Sequence, residues 1–195
     1  MTVASAWLIY GFLAFGLRTL VQLVTTGKSG WVSPRRMTQP LERVAWWTIL
    51  IALTAAFASA FLPPTAAAAW LPLLGGPLYT SGLVITVAAQ LAMGRSWRVG
   101  QDSEERTKLV SRGLFGLVRN PIYTGMLLAV LGLTLLNCNG LAVAAYALLV
   151  LGLELQVRRV EEPFLARIHG AAYQRYAAQV GRFLPGIGRG LRRAA

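Results

Sequence analysis

The sequence predicts an all-α polytopic membrane protein with about five transmembrane helices, the last two forming a C-terminal helical hairpin under a cytoplasmic cap. Three observations lead there. The 195 residues are 55% hydrophobic and only 13% charged, where soluble domains carry about 25% charged residues. Apolar runs recur at lengths near the ~20 helical residues that cross a hydrocarbon core of ~30 Å. The basic residues fall in alternate connections between those runs.

The first run, 3–24, follows an N-terminus without positive charge and is too long for a signal-peptide core, so it reads as a retained span. Arg18 lies near its end, where its stem can snorkel to the interface. The second run, 44–62, opens with Trp46 and Trp47 at an interface position. The third is 78–93, preceded by an Ala-rich stretch, Trp70 and Gly75-Gly76-Pro77, which reads as an interfacial turn. The fourth, 121–136, rises only about 24 Å at ~1.5 Å per residue, short of the hydrocarbon core. Asn137-Cys138-Asn139-Gly140 supplies a tight turn of residues that tolerate left-handed backbone. The fifth run, 141–157, completes a hairpin whose short arms leave room for a recess at the membrane surface.

The charges test this map. Lys28, Arg35, Arg36 and Arg43 lie between runs one and two, and Arg95, Arg98, Arg106, Lys108, Arg112 and Arg119 between three and four. Arg158, Arg159, Arg167, Arg175, Arg182, Arg189, Arg192 and Arg193 follow run five. Connections 63–77 and 137–140 carry none. Every basic residue except Arg18 therefore falls on one side, which the positive-inside rule makes cytoplasmic, with the N-terminus outside and the C-terminus inside.

That placement accounts for the net charge of +12 better than nucleic acid does, so no nucleic-acid partner is expected. One cysteine, Cys138, and one histidine, His169, exclude a multi-cysteine or histidine-based metal centre, and no metal is expected. Gly113-x-x-Gly116 is not a dinucleotide fingerprint, and no Gly-x-Ser-x-Gly nucleophile motif occurs.

Specific polar residues beside a membrane are costly unless they form a site. Arg119-Asn120-Pro121 stands where a basic loop becomes the fourth run. Pro suits the first helical turn, Asn120 can cap its free N–H groups, and such a helix start attracts anions. Tyr123 can stack on a flat ring or anchor the interface, and Gly125 permits close approach by a helix or a ligand. Glu154, Arg158 and Glu162 recur every four residues and can pair along one helical face. Glu161 and Glu162 precede Pro163, which weakens or kinks the helix. Phe164, Leu165, Ile168, Tyr173, Tyr176, Val180, Phe183 and Leu184 then mark an amphipathic tail, either lying on lipid or walling a pocket.

The order of these elements is more specific than any one of them. Leu109, Val110, Gly113, Phe115, Arg119, Asn120, Pro121, Tyr123 and Gly125, then Glu161 and Glu162, then Gly170, Tyr173 and Tyr176, then Arg182 and Pro185, follow a shared pattern. In this order they resemble the isoprenylcysteine carboxyl methyltransferase family of membrane enzymes. The resemblance covers residues 91–186. It implies a methyl donor, S-adenosylmethionine (leaving S-adenosylhomocysteine), bound under the cytoplasmic cap. It implies a lipophilic small-molecule or lipid acceptor arriving from the membrane. By the same resemblance Leu109, Val110, Gly113, Arg119, Asn120, Pro121, Tyr123, Glu161, Glu162, Tyr173 and Tyr176 would surround the cofactor. The chain then divides into N-terminal transmembrane helices, 1–93, and a cofactor-binding and catalytic region, 94–195, within one integrated domain. Phe115, Asn120, Gln179 and Gly181 depart from residues frequent in the family, which bears on the prenylcysteine substrate more than on the cofactor.

Methyl transfer from an activated sulfonium needs an aligned acceptor lone pair, close packing and excluded water. An arginine can orient an anionic acceptor through a bidentate contact. Arg98 and Arg182 are the candidates for that catalytic role, and Trp97 for the membrane-facing entrance. Two other readings stay open: an NADPH-dependent membrane reductase of related fold, and a non-enzymatic scaffold whose basic tail binds anionic lipid.

Overall fold

The computed structural model describes residues 2–31, 39–65, 70–94, 97 and 109–190. Seven helices carry the described chain: α1 Val3–Thr26, α2 Pro40–Ser59, α3 Leu71–Met93, the single turn α4 Leu114–Leu117, α5 Pro121–Leu136, α6 Gly140–Leu155 and α7 Glu162–Gln179. A π-helical stretch, Gln156–Glu161, joins α6 to α7, and another, Phe12–Leu17, interrupts α1. Helices α1, α2, α3 and the one that begins with α6 are long and apolar enough to cross a membrane, and α5 is the shorter apolar helix. Large side chains such as Leu8, Phe12, Ile51, Leu73, Val84 and Leu151 stand exposed around them. An apolar exterior of this extent belongs in lipid, and the chain is an integral membrane protein.

Little hydrophobic force drives helices together in lipid, so packing contacts and buried polar bonds must do it. Helices α3 and α5 meet through small residues seven apart, Gly75 and Gly82 on one, Gly125 and Gly132 on the other. A Cβ on Gly125 would lie 2.7 Å from the Gly82 carbonyl oxygen and as close to the Thr86 nitrogen. Gly125 thus serves a helix rather than a ligand. Around this seam Tyr79 donates to the Ala6 carbonyl oxygen at 2.8 Å, and Gln90 donates to that of Ala14, in the π-helical part of α1, also at 2.8 Å. Tyr10, Met126, Val130, Leu133, Leu149 and Leu153 complete the core.

The hairpin 121–155 is present, but its arms separate: α5 packs chiefly along α3, and α6 along α2. Its turn does not use left-handed backbone, since Asn137 and Asn139 have φ of −135° and −141°. The two asparagines instead supply amide donors for the end of α2. Nδ2 of Asn137 donates to the Ser59 and Leu62 carbonyl oxygens at 2.9 and 3.2 Å, and Nδ2 of Asn139 to Ser59 at 3.0 Å. The other amide atom of Asn139 accepts from the Ala142 N–H and caps α6. Carbonyls at a helix C-terminus have no intrahelical donor, and these amides satisfy them.

Two further expectations change. Gly75-Gly76-Pro77 is not an interfacial turn but lies inside α3, which starts at Leu71. Pro77 stands in the second turn of that helix, where it has no N–H to give the Leu73 carbonyl oxygen, and Gly75 is held in the seam. Arg18 does not snorkel to the interface. It is 5% exposed, donates to the Gly94 carbonyl oxygen at 2.5 Å, and lies 4.8 Å from the centre of the Trp97 ring. A cation at the carbonyl end of α3 meets the negative end of the helix dipole, and the buried Trp97 supplies an aromatic face.

Candidate active site at the cap

The cap forms where α4, the start of α5, α7 and residues 180–190 converge. Gly113 opens α4 with φ +62° and ψ −132°, and Gly170 breaks α7 with φ +52° and ψ −129°. Both conformations belong to glycine. The helix therefore turns at Gly170 rather than at Pro163, which sits in the first turn of α7. Past the break, Tyr173, Tyr176, Ala177 and Val180 form a small core with Leu109, Leu165 and Ala166. The Tyr176 hydroxyl donates to the Phe115 carbonyl oxygen at 2.6 Å, tying α7 to α4. Burial lifts both tyrosine hydroxyls, that of Tyr176 to about 12, so they remain neutral donors.

Arg119 is the centre of the cap, 6% exposed. Nη1 donates to the carbonyl oxygens of Ala177 and Val180 at 3.0 and 2.5 Å, and Nη2 to Glu162 Oε1 and the Gly188 carbonyl oxygen at 2.5 and 3.0 Å. Arg182 closes the other side of Glu162 with a bidentate contact, Nε to Oε1 at 2.7 Å and Nη2 to Oε2 at 2.8 Å. The backbone repeats the tie: Arg119 N–H donates to Gly181 and Asn120 N–H to Arg182. Asn120 occupies the N-cap position of α5, but its amide donates to the Arg182 carbonyl oxygen at 3.2 Å instead of capping the helix.

The π-helical stretch explains why the two glutamates part. One extra residue per turn breaks the spacing of four between Arg158 and Glu162, and among the described residues Arg158 pairs with Glu154. Glu162 turns to Arg119 and Arg182. Glu161 turns to the membrane side, where its Oε1 accepts from the Tyr123 hydroxyl and, at 3.3 Å, from the Gln156 amide. Their titration diverges as well. Burial alone would raise the Glu162 carboxyl, but the hydrogen bonds and charges of Arg182 and Arg119 hold it below the usual range. Burial raises that of Glu161 against the hydrogen bonds from Tyr123 and Gln156.

A depressed folded-state carboxyl contributes stability that is complete above its unfolded value of about 4.3 and is lost as pH falls through the lower folded value. The clasp is therefore expected to weaken on acidification below about pH 4. Thermal unfolding of the wild type and of Glu162→Gln across that range checks this: the gap between their melting temperatures should shrink as pH falls.

Two cavities adjoin the cap. The larger, about 610 Å³, lies among the membrane helices. Its walls include Phe15, Trp31, Trp46, Leu50, Gln90, Trp97, Tyr123, Met126, Leu153, Gln156 and Glu161. The smaller, about 90 Å³, lies under α7 and is lined by Leu109, Val110, His169, Tyr173 and Tyr176. Both share Met93, Phe115, Arg119, Asn120 and Leu165.

The residues singled out from sequence thus divide. Leu109, Val110, Tyr173 and Tyr176 face the small cavity, Pro121, Tyr123 and Glu161 the large one, and Arg119 and Asn120 stand between. Gly113, Glu162 and Arg182 line neither and build the cap around them. Arg182 has its fork committed to Glu162, which removes it from the role of orienting an anionic acceptor. Arg98 lies outside the described residues. Trp97 lines the large cavity but is 2% exposed, an inner wall rather than a surface entrance. Sequence reasoning passed over Gln90 and Gln156. Polar residues in apolar runs were the signal that could have found them.

The residues around the small cavity suit an adenosyl group: Tyr173 and Tyr176 offer ring faces and Tyr173 a hydroxyl, with His169 and Asn120 beside them.

Comparison with known proteins agrees with this layout. Protein-S-isoprenylcysteine O-methyltransferase A of Arabidopsis thaliana is 31% identical over 118 residues, 60% of this chain and 60% of its own length. The probable protein-S-isoprenylcysteine O-methyltransferase of Oryza sativa subsp. indica is 32% identical over 108 residues, 54% of this chain and 56% of its own. The chain thus spans about 60% of the length of these curated relatives. The fold resembles that of a eukaryotic intramembrane Ras methyltransferase, isoprenylcysteine carboxyl methyltransferase, with a TM-score of 0.62 at 20% identity, over 95% of this chain and 67% of that one. The family model described as phospholipid methyltransferase matches residues 70–172, from the start of α3 into α7, ending just before Tyr173. The match takes in more than half of the sequence, and the chain belongs to the phospholipid methyltransferase family.

Proposed function

We propose that the protein is an integral-membrane methyltransferase that moves the methyl group of S-adenosylmethionine to a lipophilic acceptor. The observation that carries this reading is the pair of cavities, a small one under the cap walled by Tyr173, Tyr176 and His169 and a larger one among the spans, with five residues in common. Tyr173, Tyr176, His169 and Asn120 would hold the nucleoside, with Leu109 and Val110 against it. When bound, that group supplies an activated methyl and a thioether leaving group. The chain's own residues do the rest. Arg119 and Glu162 fix the cap, Phe115 and Leu165 exclude water at the shared wall, and the large cavity aligns the acceptor. The relatives' names point to isoprenylcysteine as one acceptor of this kind. In this reading, residues 94–195 form the catalytic region and 1–93 shape the acceptor's entry. The placement of the basic residues supports a cytoplasmic cap and C-terminus with the N-terminus outside.

Calorimetry with S-adenosylhomocysteine on the detergent-purified protein tests the reading. Saturable binding is expected, weakened about tenfold or more in Tyr173→Ala, which removes an aromatic wall. Binding of NADPH in place of S-adenosylhomocysteine would transfer the site to a reductase, and binding of neither would leave a scaffold.

A further inference from the structure

The last turn of the cap lies against a membrane helix. Thr124, on the first turn of α5, donates through Oγ1 to the Phe183 carbonyl oxygen at 2.8 Å, and the Asn120 N–H donates to that of Arg182 at 3.1 Å. Residues 183–187 therefore run beside the start of an apolar helix. That helix rises only about 24 Å against a hydrocarbon core of ~30 Å, so its first turn cannot stand clear of the lipid. The turn is tight, with Gly186 and Gly188 at φ +77° and +72° and the Ile187 carbonyl oxygen taking the Arg182 N–H at 2.7 Å. It holds Leu184 and Ile187 outward, each more than half exposed. The exposed Arg189 lies over it, with Nη2 3.6 Å from where a Cβ on Gly186 would stand. After Glu162 the sequence carries Arg167, Arg175, Arg182, Arg189, Arg192 and Arg193 and no acidic residue. Two branched apolar side chains level with the start of a membrane helix, and a guanidinium beside them, match the two layers of a lipid surface, acyl boundary and phosphate.

We propose that the turn 183–189 is an interfacial anchor that seats the cap on anionic phospholipid. Leu184 and Ile187 enter the acyl boundary of the leaflet on the cap's side, and Arg189 meets a head-group phosphate, which its planar fork suits. The anchor is tied to the clasp. Arg119 Nη2 donates to the Gly188 carbonyl oxygen at 3.0 Å, and the Gly190 N–H to that of Ala177, beside Tyr176, at 2.8 Å. Whatever seats the turn therefore steadies the end of α7 and, with it, the tyrosines of the small cavity. A lipid that binds the seated cap better than a displaced one raises the population of the seated cap. Anionic lipid is thus expected to tighten the binding of S-adenosylhomocysteine. That coupling rests on the methyltransferase reading; the anchor itself does not.

The test uses the full-length protein in nanodiscs of phosphatidylcholine alone and of phosphatidylcholine with phosphatidylglycerol in equal parts. A spin label on Ile187→Cys, in a Cys138→Ala background, is expected to collide with lipid-soluble oxygen in preference to a water-soluble nickel chelate. A label open to the chelate in both discs overturns the anchor. Calorimetry then compares S-adenosylhomocysteine binding in the two discs. Phosphatidylglycerol is expected to raise the wild-type affinity about fivefold, the factor that one arginine at an anionic surface supplies. Arg189→Gln should lose that gain, and Arg175→Gln, an exposed arginine of α7 away from the turn, should keep it. Equal affinity in the two discs overturns the coupling. A gain that survives Arg189→Gln, or that Arg175→Gln loses equally, overturns the site in favour of diffuse attraction. A protein that binds no S-adenosylhomocysteine in either disc defeats the methyltransferase reading instead, and the label still decides whether the turn enters the bilayer.

Discussion

Glu162→Ala is expected to destabilise the cap by about 3–5 kcal/mol, the usual cost of removing one partner from a buried ion pair, and to abolish S-adenosylhomocysteine binding with it. The magnitude follows from what is left behind. Glu162 is the only carboxylate in contact with Arg119 among the described residues, and the Arg119 side chain is 2% exposed. Without Glu162 that cation stays in a pocket of carbonyl dipoles with no counter-charge, and Arg182 loses both its contacts to the carboxylate. Arg119→Ala is expected to do comparable harm by a different route, releasing the carbonyl oxygens of Ala177, Val180 and Gly188 that now receive its N–H groups. Arg182→Ala should cost less, because Glu162 keeps Arg119 and Arg182 is nearer solvent. A double-mutant cycle between Arg119 and Glu162, read by thermal unfolding in detergent, separates the clasp from general disruption. Near-additive losses would mean that the pair is not coupled. In contrast, Glu154→Ala removes a helix-surface pair with Arg158 that is half exposed on the arginine side, worth about 0.5 kcal/mol or less.

The sequence announced much of this because punctuation and charge are local. Helix α5 runs from Pro121 to Leu136 as expected, since proline opens it and asparagine ends it. The basic residues marked the loops, and the ordered motif gathered Arg119, Asn120, Tyr173 and Tyr176 at one cap. What stayed hidden depended on register and on partners far along the chain. A spacing of four put Glu162 with Arg158, and only the π-helical stretch sends it to Arg119, more than forty residues away. The same stretch divides Glu161 from Glu162, two adjacent identical residues with opposite surroundings. Arg182 read as a free anion holder because nothing in its neighbourhood shows that Glu162 lies against it. Gly75 read as part of a turn because its pairing with α5 is invisible without the partner helix.

The α3–α5 seam carries the second large effect. Gly82→Val and Gly132→Val are expected to leave no correctly folded protein, whereas Gly76→Val, in the same helix as Gly82, should fold and bind S-adenosylhomocysteine normally. The difference is geometric. A Cβ on Gly82 would run into the Ala129 nitrogen and lie 2.8 Å from its Cα; one on Gly132 would meet the Tyr79 nitrogen and, at 2.8 Å, its Cα. These obstacles are backbone, which cannot rotate aside, so the helices must separate. On Gly76 a Cβ meets nothing within 4 Å. Separation is severe in a membrane because no hydrophobic gain holds the pair together once contact is lost. It would also reach the site. Helix α5 carries Tyr123 and begins at Asn120, and α3 ends at Met93, which borders both cavities. Moving one helix on the other shifts the wall where methyl donor and acceptor are proposed to meet, and misplacement of about 1 Å can cost 100-fold in rate. Gly→Ala at Gly82 is the graded version: folded protein with weakened binding would mean that the helices yield by the width of a methyl, and unchanged stability would show that the seam is looser than the close approach of its glycines implies.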